Sequence, residues 1–166
     1  MSAFRLSSLR ALPRQATALR MARRTYADVA DGKLSLSLVL PHQSLYSAAG
    51  VIQVNIPAAT GDMGVLANHV ASVEALRPGV IEVIEDNGQP SKKWFVSAGF
   101  ATVHGNNSLT INAVEAYPLD KFSAENIRAG LADANRVLGS SAPESEKAEA
   151  RIELDVYEGL QAALNK

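Results

Sequence analysis

Three histidines, His42, His69 and His104, are the side chains best suited to proton transfer or metal binding near neutral pH. They stand far apart, share no ligand spacing, and have no cysteine beside them to complete a zinc set. They are expected at turns and strand ends, and no metal or cofactor is expected. The lack of cysteine also removes thiol nucleophiles and disulfides. Ser72, the nearest hydroxyl downstream of His69 and Asp62, carries no nucleophile motif, and no Gly-x-Ser-x-Gly elbow occurs. Gly61-Asp62-Met63-Gly64 lacks the Lys-Ser/Thr that would make it a phosphate loop, and Asp62 would repel an anion. That run is expected to be a tight exposed turn. Glu82 and Glu85-Asp86 fall at a strand end and a turn, where solvation is expected rather than acid–base work. Lys92 and Lys93 before Trp94 make too weak a basic spot for nucleic acid and suit an edge strand. Catalysis is thus excluded group by group, leaving recognition of other molecules.

The elements that would position these residues divide into two kinds. From Lys33 to about Ala116 the spacing of Gly and Pro leaves no room for a helix. Leu34, Leu36, Leu38 and Leu40 alternate with Ser35, Ser37 and Val39, which predicts a strand with its leucines buried and Pro41 at its end. Residues 51–57 predict a second strand, with Ile52, Val54 and Ile56 opposite Val51, Gln53 and Asn55. Further strands are expected at 80–84, 94–98, 100–104 and 109–114, with reversals at Asp86-Asn87-Gly88, Gly99 and Gly105-Asn106-Asn107. Six or more strands without a helical spacer predict an antiparallel β sandwich or flattened barrel.

After Tyr117-Pro118 the period changes. Ile127, Leu131, Ala134 and Leu138 share one helix face, with Ser123 placed to cap it and Gly139 to end it. A second helix is expected from near Ser141, with Glu144 completing a capping box and a stripe of Ala148, Ile152, Val156, Leu160 and Ala163. The short link predicts a C-terminal antiparallel helical hairpin. Its small contact residues imply that it leans on the sandwich or on a partner.

The 166 residues suffice for one core with a small appendage. Residues 1–26 carry six arginines and no acid, the composition of a mitochondrial presequence. Arg24-Thr25-Tyr26 resembles a matrix-protease site, which would leave Ala27 as the mature N-terminus. Ten basic residues then face all seventeen acidic ones, a formal charge of -7. No apolar run approaches the roughly 20 residues of a membrane span. The expected divisions are 1–26 presequence, 27–117 sandwich and 118–166 hairpin.

Between the strands the sequence becomes specific. Val54-Asn55-Ile56-Pro57, then Gly61-Asp62-Met63-Gly64-Val65-Leu66-Ala67-Asn68-His69, then Leu76-Arg77-Pro78-Gly79-Val80, resembles the central signature of the delta subunits of mitochondrial F-type ATP synthase, counterparts of bacterial and chloroplast epsilon. Leu40-Pro41, Leu45-Tyr46, the run Phe95 to Ala101, and Leu109-Thr110-Ile111 extend the resemblance along the mature chain. It implies a non-catalytic rotor component on the matrix side of the inner membrane, coupling proton-driven rotation to ATP synthesis. It also implies the gamma subunit, the ring of c subunits and the small epsilon subunit as partners. Asp62, Met63, Gly64 and Val65 match the loop that would meet the ring, and His69 matches a loop histidine of the family. Some bacterial relatives bind ATP through Ile/Leu-Asp-x-x-Arg-Ala, where this chain has Ala124-Glu125-Asn126-Ile127-Arg128-Ala129. The aliphatic residue is lost and Glu replaces Asp, which favours a surface charge pair of Glu125 with Arg128 over a nucleotide site. The rival reading is a small matrix module holding a nucleotide or acyl ligand. The few aromatic residues and the lack of a clustered basic anchor weigh against it.

Overall fold

A computed structural model describes residues 32–165; the expected presequence, residues 1–26, lies outside the described residues. Strand β1 (Leu34–Val39) buries Leu34, Leu36 and Leu38 and turns its serines outward, as the alternation requires. β2 (Ser44–Val51) returns antiparallel to it. The strand expected over 51–57 is broken at Ile52. There the chain leaves β1 and crosses to the opposite layer, where β3 (Gln53–Ala58) begins and the Ile52 amide donates to the Ile84 carbonyl at 2.8 Å. The crossing resets the alternation, so Val51 and Val54 are both buried.

β4 (Gly61–Leu66) corrects the expectation of an exposed turn at Gly61 to Gly64. That segment pairs residue for residue with β3, and the reversal lies at Ala59-Thr60. β5 (Ser72–Leu76), β6 (Gly79–Ile84), β7 (Lys92–Val96), β8 (Gly99–His104), β9 (Ser108–Ala113) and β10 (Ala116–Pro118) complete the β part. The reversal at Asp86-Asn87-Gly88 is present, with Gly88 at φ 86°.

The strand order β10-β7-β6-β3-β5-β8-β9-β1-β2, with β4 on β3, folds into a sandwich because β3 and β5 share only the Ala58–Leu76 pair. Hydrogen bonds from the Ala59 amide to the Ala75 carbonyl and from the Arg77 amide to the Pro57 carbonyl reinforce this seam. Among the described residues one pairing is parallel, that of β1 with β9. The four leucines of the N-terminal run meet Val54, Ile56, Val65, Ile81, Val83, Leu109 and Ile111 in the core.

Two helices follow a 3₁₀ turn at Leu119–Lys121. In α1 (Ala124–Leu138) the Ser123 side chain accepts the Asn126 amide, and Ile127 and Ala134 are buried on the expected face. α2 (Glu144–Leu164) departs from expectation twice. Pro143 stands at its N-cap without a side-chain hydrogen bond, so the Ser141–Glu144 box does not form. Ser140 orders the connection instead, its hydroxyl donating to the Val137 carbonyl and accepting the Ala142 amide. The stripe holds only in its C-terminal part: Val156, Leu160 and Ala163 pack as expected, while Ala148 and Ile152 are exposed and Ala150 is buried in their place. In so alanine-rich a helix two faces are nearly equal in apolar content, and packing against α1 selects one. The Tyr157 ring lies flat on Gly130, where any side chain would collide.

The hairpin meets the sandwich through a second apolar cluster of Phe95, Ile127 and Leu160, joined by Val80, Leu119 and Phe122. Phe122 packs edge-on against Phe95 at 5.6 Å. Gly159 lets α2 approach the Pro78 carbonyl, which a Cβ would meet at 3.2 Å.

Candidate functional site

Pairing with β3 gives β4 a two-residue alternation that divides the expected contact residues. Asp62 and Gly64 face outward, Met63 is half-buried against the core, and Val65 is wholly buried and presents no side chain to a partner. Asp62 accepts a hydrogen bond from Arg77 Nη2 at 2.5 Å, joining β4 to the β5–β6 connection. His69 lies beyond the far end of the strand, with Nδ1 2.8 Å from the Val70 carbonyl and its amide donating to Leu66 at 3.3 Å. Four strand steps, about 13 Å, separate Asp62 from Leu66 alone, so Asp62 and His69 mark opposite ends of the sandwich. They do not form one site.

Residues that sequence reasoning passed over carry the more conspicuous surface. β5 and β8 pair with Val73 opposite Thr102 and Ala75 opposite Phe100. Val73 is 68% exposed, Phe100 59% and, beyond β9, Val114 57%. Phe100, Ala75, Ala98, Val114 and Pro41 line an open hollow of about 560 Å³. The signal was present: Ala101 and Val103 point inward, so an alternating strand must turn Phe100 and Thr102 out.

A cleft of about 370 Å³ separates β3 and β6 from the C-terminal turns of α2. Most of its polar wall is paired internally, with Lys93 also on the lining. Asn55 Nδ2 donates to Glu82 at 3.0 Å, the Ser91 hydroxyl donates to the other Glu82 oxygen at 2.5 Å, and Arg77 is held by Asp62. Glu85 is likewise occupied, accepting Lys92 Nζ at 2.8 Å. That hydrogen bond holds the Glu85 carboxyl below its ordinary range and raises the Lys92 ammonium, which stands 6.0 Å above the Tyr46 ring. Burial pushes the Tyr46 hydroxyl up. Lys33 and Asp86 form a further pair at 2.7 Å across the same end.

His104 Nε2 lies 3.2 Å from the Thr110 hydroxyl and His42 is exposed in the β1–β2 turn. Among the described residues no three His, Asp or Glu side chains gather as a metal would need, and no helix is long and apolar enough to cross a membrane. Glu125 and Arg128 are both exposed on the first turns of α1. The expected ion pair between them is not formed among the described residues; the helical pairs are Asp133–Arg136 and Glu144–Arg151.

A sandwich without a metal-binding cluster among the described residues, with an apolar outer face and a lightly attached hairpin, defines a protein-interaction module. Residues 33–119 match the family model of the ATP synthase delta/epsilon chain β-sandwich domain, and residues 122–162 match that of the C-terminal domain of the fungal epsilon subunit of F1F0-ATP synthase. The chain belongs to the delta/epsilon family of ATP synthase subunits. It is 58% identical over 165 residues to the mitochondrial ATP synthase subunit delta of Agaricus bisporus, covering 97% of this chain and 100% of that one. The corresponding subunit of Saccharomyces cerevisiae is 50% identical over 146 residues, covering 87% and 89%. Among solved structures, a chain of the Euglena gracilis mitochondrial ATP synthase, from an assembly of OSCP, F1 and c-ring, superposes with a TM-score of 0.75. It is 32% identical over 80% of this chain and 82% of that one.

Proposed function

We propose that this chain is a mitochondrial central-stalk subunit of ATP synthase, a rotor part that joins the gamma subunit to the c-ring and performs no chemistry itself. The observation that carries this reading is the exposed apolar face of β5 and β8. A phenylalanine and two valines left more than half in water favour a partner that covers them, at about 25 cal/mol per Å² of apolar area removed from water. Gamma is the proposed occupant. A two-layer sandwich suits torque transmission because its close-packed interior deforms little under load. Asp62 and Gly64, facing outward at the start of β4, are the proposed contacts to the polar loops of the c-ring, where a carboxylate can meet basic side chains. The small epsilon subunit is proposed to cover the outer side of α2, where Ile152 is 67% exposed. Residues 1–26 act as the import signal, removed on the matrix side of the inner membrane. A ligand-binding role draws little support from the cleft, where Glu82 is bonded to Asn55 and Ser91, Arg77 is paired with Asp62, and Lys93 is the one further charged side chain of the lining.

The direct test is native-gel separation of gently solubilised mitochondria, with mass spectrometry of the band that holds this chain. Co-migration with the alpha, beta and gamma subunits after the catalytic sector is stripped from the membrane is the expected result. A free species of the mature mass overturns the reading. Phe100→Asp should fold as the parent does and lower incorporation into the complex at least tenfold, since it places a charge in an interface core. Quantitative immunoblotting of the assembled band measures this.

A further inference from the structure

The β4–β5 loop, residues 67–71, is tied to the sandwich by an unusual pair of asparagines. Asn68 at φ 63° and Asn107 at φ 57° both occupy the left-handed region, which few residues other than glycine tolerate. They are 39 residues apart in sequence and bond to each other twice. The Asn68 amide donates to Asn107 Oδ1 at 2.6 Å, and Asn107 Nδ2 donates to Asn68 Oδ1 at 3.4 Å. The Asn107 carbonyl accepts the Ser35 amide at 2.8 Å, anchoring the clasp to β1 as well as to the β8–β9 turn. Among the described residues, the side-chain hydrogen bonds that reach from 67–71 across the sequence all run to Asn107. The loop's other bonds are local, those of His69 with Leu66 and Val70.

Val70, 75% exposed, leads directly into β5, whose Val73 belongs to the apolar face. We propose that Asn107 is a positioning residue for docking: its side chain holds the loop so that His69 and Val70 are preset for the partner that covers the β5–β8 face. The inference rests on the docking reading of that face given above. Physically the clasp spares the association the cost of ordering an exposed loop. The position calls for asparagine or aspartate, because the left-handed backbone and the Oδ1 acceptor must be met by one short polar side chain.

Asn107→Gly separates these requirements, since glycine keeps the backbone and deletes the clasp. The full chain would be titrated against the gamma-containing catalytic sector depleted of it, alongside amide hydrogen exchange on the free protein. Exchange at Asn68 should quicken at least tenfold while the core amides of Ala101 and Ile111 hold, and association should weaken by about tenfold. Asn107→Asp, which keeps Oδ1 as acceptor, should restore association to within about twofold. Unchanged exchange at Asn68 in the glycine variant overturns the inference. So does unchanged association, and Phe100→Asp then separates the causes. If that variant weakens association, the docking face stands without the clasp; if neither variant does, both readings fall.

Discussion

Asp62 and Val65, three residues apart on β4, answer to different forces. Val65 is sealed in the core, where truncation leaves a void, whereas Asp62 is exposed and shares an ion pair with Arg77 whose contribution to stability is small. Asp62→Lys should therefore shift the urea midpoint by no more than about 0.5 kcal/mol equivalent while impairing assembly or coupled ATP synthesis. A collapse of folding in that variant would make the Asp62–Arg77 pair structural. The charges at the opposite end of the sandwich set a pH window. Glu85 is held below its ordinary 4.5, so its contribution is present above that value and is lost as pH falls through the lower folded value. Lys92 and Tyr46 are raised, so their contributions are in place below 10.5 and 10.0 and are lost as pH rises through the higher folded values. Denaturant midpoints across pH should accordingly fall at both ends. Lys92→Met should make the acid-side fall shallower, because Glu85 then titrates nearly alike in both states.

Among the elements, legibility followed how much a segment decides for itself. β1 announces its buried face through four alternating leucines, and α1 announces both its face and its cap at Ser123. β4 announces neither, because two glycines and an aspartate favour a turn and only pairing with β3 makes a strand of them. The same ladder split the expected contact run into alternate inward and outward residues and left His69 beyond its end. The exposed apolar face on β5 and β8 is readable from the alternation of β8, which turns Phe100 away from Ala101 and Val103. In α2 the choice between stripes belongs to α1, through contacts such as Tyr157 on Gly130. This gives a prediction whose sign opposes local propensity. Gly130→Ala should gain about 1 kcal/mol of helix propensity yet lose more by displacing the Tyr157 ring, for a net loss of hairpin stability. Thermal melting followed by circular dichroism at the helix band decides it.

At the scale of the whole molecule, two apolar clusters lie on the two sides of β7. Trp94 and Val96 face the sandwich core, and Phe95 faces the hairpin. Every buried member of the larger cluster precedes Tyr117. A chain ending at Pro118 should therefore keep the sandwich, with tertiary Trp94 fluorescence intact, at a modest loss of stability from uncovering Phe95. Aggregation or a molten spectrum would show that the hairpin completes a single core.

The parallel pairing of β1 with β9 reaches from Ser35–Ser108 to Val39–Asn112, so the first strand of the sandwich meets its second neighbour only after some seventy further residues are in place. β1 can form a local hairpin with β2 at once, but its leucines gain their full cover last. Closure of that seam is a high-contact-order event, and a destabilising substitution within it such as Leu109→Ala should slow refolding in stopped-flow measurements. A chain emerging N-terminus first thus carries a greasy, half-paired ribbon until β9 arrives, the kind of exposed strand that folding assistants shield.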